Sequence, residues 1–165
     1  LSPDGTLTPG NTSAMHDGAA FVVVVSEPVW EQLGRPGALK LIASASHGVS
    51  PDREAAAPVE ATQKLLKKLK NFDLGKIDVV ELSESSAAQA LAFAAELGID
   101  PDRINPDGGA VVRGHPLGAA GSVLVVRLFS RLCRHRANGG PTYGLAALGT
   151  LGGMGVAALF EVAGR

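Results

Sequence analysis

The sequence predicts an α/β layered domain with a mixed sheet covered by helices. Three observations carry this. Strand-like and helix-like segments alternate along most of the chain, the run Ala20–Val25 is apolar without a break, and the chain closes on two strand-like runs joined by a glycine-rich turn. The 165 residues suffice for one domain with a real core and are too few for two ordinary ones. A hydrophobic fraction of 45% against 19% charged residues describes a folded chain, and a net charge of -1 gives no footprint for nucleic acid or an anionic membrane. A single cysteine excludes an internal disulfide framework and a cysteine-based metal site, and it fits a reducing cytoplasm. No run has the length of a membrane span, and Leu1-Ser2-Pro3-Asp4-Gly5 lacks a leader pattern, so a soluble chain is expected.

The first nineteen residues are loop chemistry, rich in Gly, Thr, Ser, Asn and Asp. Ala20–Val25 then reads as a strand buried on both faces, central in a sheet. Ser26 can cap a short helix through Leu33, which Gly34 ends. Leu39, Leu41 and Ala43 alternate in a strand over Ala38–Ser46, and a loop containing His47 and Glu54 runs to Ala57. Pro58 suits a first helical turn. That helix runs to Leu69, with Val59, Leu65, Leu66 and Leu69 on one side and Lys64, Lys67, Lys68 and Lys70 on a solvated one, although the lysines could also be read as a phosphate site.

Ile77–Leu82 is a short strand, and an Ala-rich helix spans about Ser85 to Leu97 before Gly98. Ser83 or Ser85 can cap it, and Ser83 could instead point into a cleft. Gly108–Arg113 is the next strand. The turn Gly114-His115-Pro116 opens a long helix from about Leu117 to His135, with His135 at its solvated end. Strands over Tyr143–Gly149 and Gly155–Val162 finish the chain.

Chemistry concentrates in four stretches. His115 stands at a strand-to-helix turn, followed by Gly118, Ala119, Ala120 and Gly121, which keep bulk away from the first helical turn and its unpaired N–H groups. A histidine there can act as a base or as a donor to an oxyanion; the plainer reading is a buried turn whose ring bonds to backbone. Gly149-Thr150-Leu151-Gly152-Gly153-Met154-Gly155 reads as a backbone-lined wall beside a ligand, or as a hairpin without a chemical role. It is no phosphate loop, because neither a Lys-Ser/Thr pair nor a helix follows. The third stretch is Glu81 to Gln89. The fourth, Gly5 to Ala20, is a polar loop containing Ser13, Ala14 and His16 that feeds an apolar run, as expected of a pocket lining. Cys133 is in step with Leu128 and Leu132 and reads as a buried small hydrophobe.

Taken together, the four stretches resemble the C-terminal half of the thiolase family (acetyl-CoA acetyltransferases and 3-ketoacyl-CoA thiolases). That family carries, in this order, a Gly-Thr-Val-Thr-Ala-Gly-Asn-Ala-Ser loop with Asp-Gly-Ala-Ala, an Asn-Glu-Ala-Phe-Ala-Ala-Gln motif, an Asn-Pro-x-Gly-Gly-Ala…Gly-His-Pro-x-Gly motif and a Cys-x-Gly-Gly-Gly-x-Gly motif. The resemblance covers essentially the whole chain. It implies a five-stranded mixed sheet between helices, with residues 1–32 ending the first thiolase half and residues 33–165 forming the C-terminal domain.

By the same resemblance, His115 matches the histidine that activates a nucleophilic cysteine and stabilises the thioester oxygen. Ser13, with Ala14 beside it, matches a serine along the coenzyme A chain. Ser83 replaces the asparagine that anchors an oxyanion-hole water, and Ser86 replaces the adjacent phenylalanine. Gly149 stands where the family has its acid/base cysteine, with Leu151 in the same motif. Glu54 falls near an apolar position by the acyl pocket.

The implied substrate is a coenzyme A thioester of lipid metabolism, with no covalently bound cofactor. The implied partners are a first thiolase half, which holds the nucleophilic cysteine, or a second copy in a dimer. The chain by itself lacks the nucleophile and is expected to be inactive alone. Three functions stay open: a thiolase-type acyltransferase, a thiolase-like aldolase that breaks a carbon–carbon bond without an acyl-enzyme, and a non-catalytic subunit that binds acyl-CoA or a partner.

Overall fold

The computed structural model describes residues 4–70, 72–134 and 142–164. Its elements are α1 (Glu27–Gln32), β1 (Ala38–Gly48), α2 (Ala57–Lys68), β2 (Ile77–Leu82), α3 (Ala87–Leu97), α4 (Ala110–Arg113), α5 (Ala120–Phe129), β3 (Tyr143–Thr150) and β4 (Met154–Ala163). The sheet is mixed and has four strands in the order β1-β4-β3-β2, with β2 parallel to β3 and the other pairs antiparallel.

Period-two alternation divides the core into two layers. Val80 and Leu82 of β2, Leu145 and Ala147 of β3, and Ala157 and Leu159 of β4 pack with Val59, Ala61 and Leu65 of α2 and Phe93 of α3. Their neighbours Val79, Ala146 and Phe160 face the other way, onto Leu124 and Leu128 of α5 and Leu132 beyond it. Glu81 lies on this second face and is 1% exposed; its carboxylate pairs with Arg127 of α5 at 2.5 and 3.2 Å. Burial pushes the Glu81 carboxyl above its usual range, more strongly than the Arg127 guanidinium beside it pulls it down.

Several expectations are corrected. The sheet has four strands rather than five, because Gly108–Arg113 contains the short helix α4 and no strand. The deciding contact comes from far along the chain: Glu84 Oε1 accepts the N–H of Val111 at 3.2 Å, satisfying a first-turn donor of that helix. Ala20–Val25 is not a strand either. Its backbone is not paired with any described residue, and Phe21, Val23 and Val24 are 90%, 86% and 89% exposed.

Ser86, not Ser83 or Ser85, caps α3, its Oγ accepting the N–H of Gln89 at 3.2 Å. His47 belongs to β1, which extends to Gly48. The expected long helix is a 3-10 turn over Leu117–Ala119, then α5, then a π-helical turn over Ser130–Arg134; His135 lies outside the described residues. Cys133 is half-buried against the α5 layer, with its Sγ donating to the Ala38 carbonyl at 3.4 Å.

The α2 lysines also have a defined use. Lys64 and Lys68, one turn apart, donate to the carbonyls of Ser46 and Ser44 at 2.9 Å, covering outward groups of edge strand β1 with charge. No helix among the described residues is long and apolar enough to cross a membrane.

Candidate functional site

The polar N-terminal loop is stitched across the start of α3 and the His115 turn. The Ser13 N–H and Oγ–H both donate to the Ser85 carbonyl, at 3.0 and 3.3 Å. The Ala87 N–H reaches the Asn11 carbonyl at 2.9 Å. One residue on from Ser13, the Ala14 carbonyl accepts the His115 N–H at 2.8 Å, and the His115 carbonyl accepts the His16 N–H at 3.3 Å. Gly114 makes this seam possible: its φ is 87°, and a Cβ there would stand 2.2 Å from Nδ1 of His16.

The loop and the turn enclose an open groove of about 990 Å³, lined among others by Met15, His16, Asp17, His115, Pro116 and Ser122. The His115 side chain makes no hydrogen bond to any described residue, and partial burial lowers its pKa below the usual 6.5. At neutral pH the imidazole is therefore uncharged, and its ring N–H can donate to an oxygen.

A second seam joins β2 to β3. Ser83, directly after β2, is 3% exposed and its Oγ accepts the N–H of Gly149 at 3.1 Å. The Ser83 N–H donates to the Ala147 carbonyl at 2.9 Å, extending the parallel ladder by one bond. Pro58 of α2 and Gln89 of α3 close in on Gly149: a Cβ there would lie 3.1 Å from Pro58 Cγ and 3.3 Å from Gln89 Nε2. Beyond Gly149 the hairpin turn is tied down at Gly152, whose N–H donates to Glu54 Oε2 at 3.2 Å. Leu151 stands at the tip of that turn, 87% exposed.

Glu84 and Asn105 lock the end of β2 to the segment leading to His115. Asn105 Oδ1 accepts the N–H of Leu82 at 2.8 Å, while its Nδ2 donates to the Leu82 carbonyl at 3.2 Å and to Glu84 Oε2 at 2.5 Å. Gly109 lies so close that a Cβ would overlap the Glu84 carboxylate. Glu84, Asn105 and Gln89 were not singled out by sequence reasoning. All three fall inside the quoted motifs, but only the fold reveals what they touch.

The structure thus brings Ser83 together with Gly149, Ala14 with His115, and Ser13 with Ser85. It leaves Leu151 at the rim. Of the residues matched to the family's site positions, His115 lines the open groove, beside His16 of the polar loop, while Ser83 and Gly149 do not, and no hydrogen bond links the His115 ring to either of them.

The family model for the thiolase C-terminal domain matches residues 37–162. Over 163 residues the chain is 40% identical to the beta-ketoadipyl-CoA thiolase of Acinetobacter baylyi, an alignment covering 98% of this chain and 39% of that protein. It is 42% identical over 156 residues to a probable acetyl-CoA acyltransferase of Staphylococcus aureus, covering 94% of this chain and 38% of the relative. The fold superposes on the crystal structure of the Bacillus anthracis acetyl-CoA acetyltransferase with a TM-score of 0.90 at 34% identity, over 98% of this chain and 40% of that one. A thiolase of Ascaris suum, solved in complex with coenzyme A, superposes with a TM-score of 0.83 at 33% identity, over 98% of this chain and 41% of its own. The chain therefore spans about two fifths of the length of these relatives. On this sequence match and this superposition, the chain belongs to the thiolase family and corresponds to its C-terminal half.

Proposed function

We propose that this chain is the acyl-CoA-handling half of a thiolase-type acyltransferase, in which neutral His115 donates a hydrogen bond to the thioester oxygen and Ser83 supplies a second polar contact. The observation that carries this reading is the 3.1 Å contact between Ser83 and Gly149. It joins the two positions at which the family holds its oxyanion-hole asparagine and its acid/base cysteine. Ser13 and Ala14, bonded to Ser85 and to the His115 turn, border the path along which the coenzyme A chain would lie.

The nucleophilic cysteine and the remaining sheet come from a first thiolase half. The exposed Phe21, Val23 and Val24 support this, since strand-forming residues left in water favour association with an apolar partner. Residues 1–32 complete that first half, and residues 33–165 form the C-terminal domain. Pairing with a second copy follows the same logic, and a cytoplasmic location fits coenzyme A chemistry.

Gly149 favours a second reading. With no side chain at this position, no proton can be carried there, and thiolysis or Claisen condensation needs both an enolising base and a nucleophile. An aldolase-like reaction without an acyl-enzyme, or acyl-CoA binding without turnover, tolerates this substitution. Acetoacetyl-CoA cleavage by the chain combined with a cysteine-bearing first half is the test. Cleavage that disappears in His115→Ala supports the acyltransferase; acyl-CoA binding with no cleavage selects the second reading, and failure to bind either acetoacetyl-CoA or coenzyme A defeats both.

A further inference from the structure

Glu84 and Asn105 both have a φ of 47°, a left-handed conformation that a residue with a Cβ disfavours. Strain of this kind persists only where the surroundings over-determine it. The Asn105 main chain is held on both sides: its N–H donates to the Val80 carbonyl and its carbonyl accepts the Gly108 N–H, each at 2.8 Å. The N–H and carbonyl of Leu82 fix which end of the Asn105 amide is which, and the remaining amide hydrogen turns to Glu84 Oε2.

The other carboxylate oxygen, Oε1, accepts the Val111 N–H at 3.2 Å. That N–H belongs to the Ala110–Val111 peptide group, whose carbonyl accepts the Gly114 N–H at 2.8 Å. One peptide is thus gripped at its N–H by Glu84 and at its oxygen by the residue directly before His115. A carboxylate on the N–H polarises the carbonyl at the other end and strengthens its bond to Gly114. The His115 ring makes no hydrogen bond to any described residue, so the backbone carries the task of placing it.

We propose that Glu84 is the positioning residue for His115: through the Ala110–Val111 peptide and Gly114 it sets where the imidazole stands in the groove. Reach and acceptor pattern both matter. Aspartate suits a left-handed backbone better than glutamate, but it is one methylene too short to meet Asn105 and Val111 at once. Glutamine keeps the length and sets an NH2 group against one of the two donors. The inference rests on the reading of His115 as the ring that meets the acyl-CoA oxygen.

The test uses the full protein that carries this chain, as Glu84→Gln and Glu84→Asp. His115 titrates below 6.5 in the parent because it is partly buried; in both variants the NMR midpoint should rise toward 6.5 as the ring moves into the open groove. Loss of a negative charge alone would lower the midpoint, so a rise reports placement. His16 and Asp17, the other titratable residues lining the groove, are the same in every form, and the ring signals of His47 in β1 should stay where they are.

Calorimetry gives the second readout. Glu84→Gln should reduce the preference for acetoacetyl-CoA over coenzyme A roughly tenfold, about the weight of one hydrogen bond, and should add no further loss in a His115→Ala background. If Glu84→Gln does not fold, Glu84→Asp decides by the same measurements. Folded variants with unmoved His115 signals, or an equal loss with the ring already removed, overturn the positioning role. If His115→Ala changes neither affinity, the acyl-CoA reading of the ring fails, and the ring signals alone decide: moved in the variants, the positioning role stands; unmoved, it falls.

Discussion

The Gly149 N–H donates to the Ser83 hydroxyl at 3.1 Å, tying the residue after β2 to the end of β3 where the two strands finish side by side. Ser83 is buried, and its N–H extends the ladder to the Ala147 carbonyl, so its side chain and main chain act together at this seam. Removing the hydroxyl should therefore be felt in stability as well as in ligand binding. Ser83→Ala leaves the Gly149 N–H without its acceptor and should cost about 1–3 kcal/mol. Urea unfolding of the parent and the variant measures it; an unchanged midpoint and slope would show that solvent replaces the hydroxyl.

The ion pair beneath this seam gives a larger effect. Glu81 and Arg127 have side chains 1% and 14% exposed, so neither charge is well hydrated when its partner is removed. Arg127→Met should destabilise by about 3–5 kcal/mol at neutral pH. The pH dependence has a definite sign. Burial already raises the Glu81 carboxyl above 4.5, and losing the guanidinium raises it further. The folded variant then retains a proton that the unfolded chain releases, so its stability falls as pH rises above 4.5 through the folded-state titration. Denaturation of Arg127→Met at several pH values should show the deficit shrinking toward acid; a deficit that grows toward acid would contradict the assignment.

The layering was legible in the sequence because it rests on local period. Val79 and Val80, or Ala146 and Ala147, alternate between the two faces as their spacing dictates, and α2 and α3 appear close to where Pro58 and Gly98 place them. The failures share a different physical origin. Gly108–Arg113 carries strand-like residues, yet a carboxylate from Glu84 stabilises a helical turn there, and no local pattern announces that contact. The valines of Ala20–Val25 show a need for burial but not where the burying strands come from. In the candidate site, the His115 turn and the Gly149 turn stood out through their glycines, whereas Gln89 looked like an ordinary helical residue. It reaches the site only because Gly149, sixty residues further along the chain, is close in space: a Cβ there would stand 3.3 Å from the Gln89 amide nitrogen.

His115 should titrate below the 6.5 of an unperturbed imidazole, because partial burial disfavours the charged ring. As pH falls from 6.5 the unfolded chain takes up a proton before the folded one does. The His115 contribution to stability is thus fully present above pH 6.5 and is lost as pH falls toward the lowered folded-state value. Acyl-CoA binding through a neutral ring N–H should likewise persist into mildly acidic solution, failing only when the folded imidazole charges. NMR of the His115 ring, assigned by comparison with His115→Gln, gives the midpoint directly. A midpoint above 6.5 would mean that a carboxylate governs the ring and that its resting state is cationic.

Gly149→Cys is the most direct experiment on the chemistry. The backbone at 149 lies outside the left-handed region that favours glycine, so a side chain meets no φ penalty. Packing sets the obstacle instead: the new Cβ would sit 3.1 and 3.3 Å from the Pro58 ring and 3.3 Å from the Gln89 amide, which requires α2 to yield by a few tenths of an ångström. The thiol would then occupy the position where the family places its acid/base. A positioned acid/base typically contributes about 10²–10⁴ in rate, so the chain combined with a cysteine-bearing first half should cleave acetoacetyl-CoA faster by a factor in that range after the substitution. The rise should appear in kcat, since ground-state contacts to the substrate are not improved. Brisk cleavage with Gly149 intact would place proton transfer on another group. Binding without cleavage in both forms, in folded protein, would select a subunit that holds acyl-CoA without turning it over.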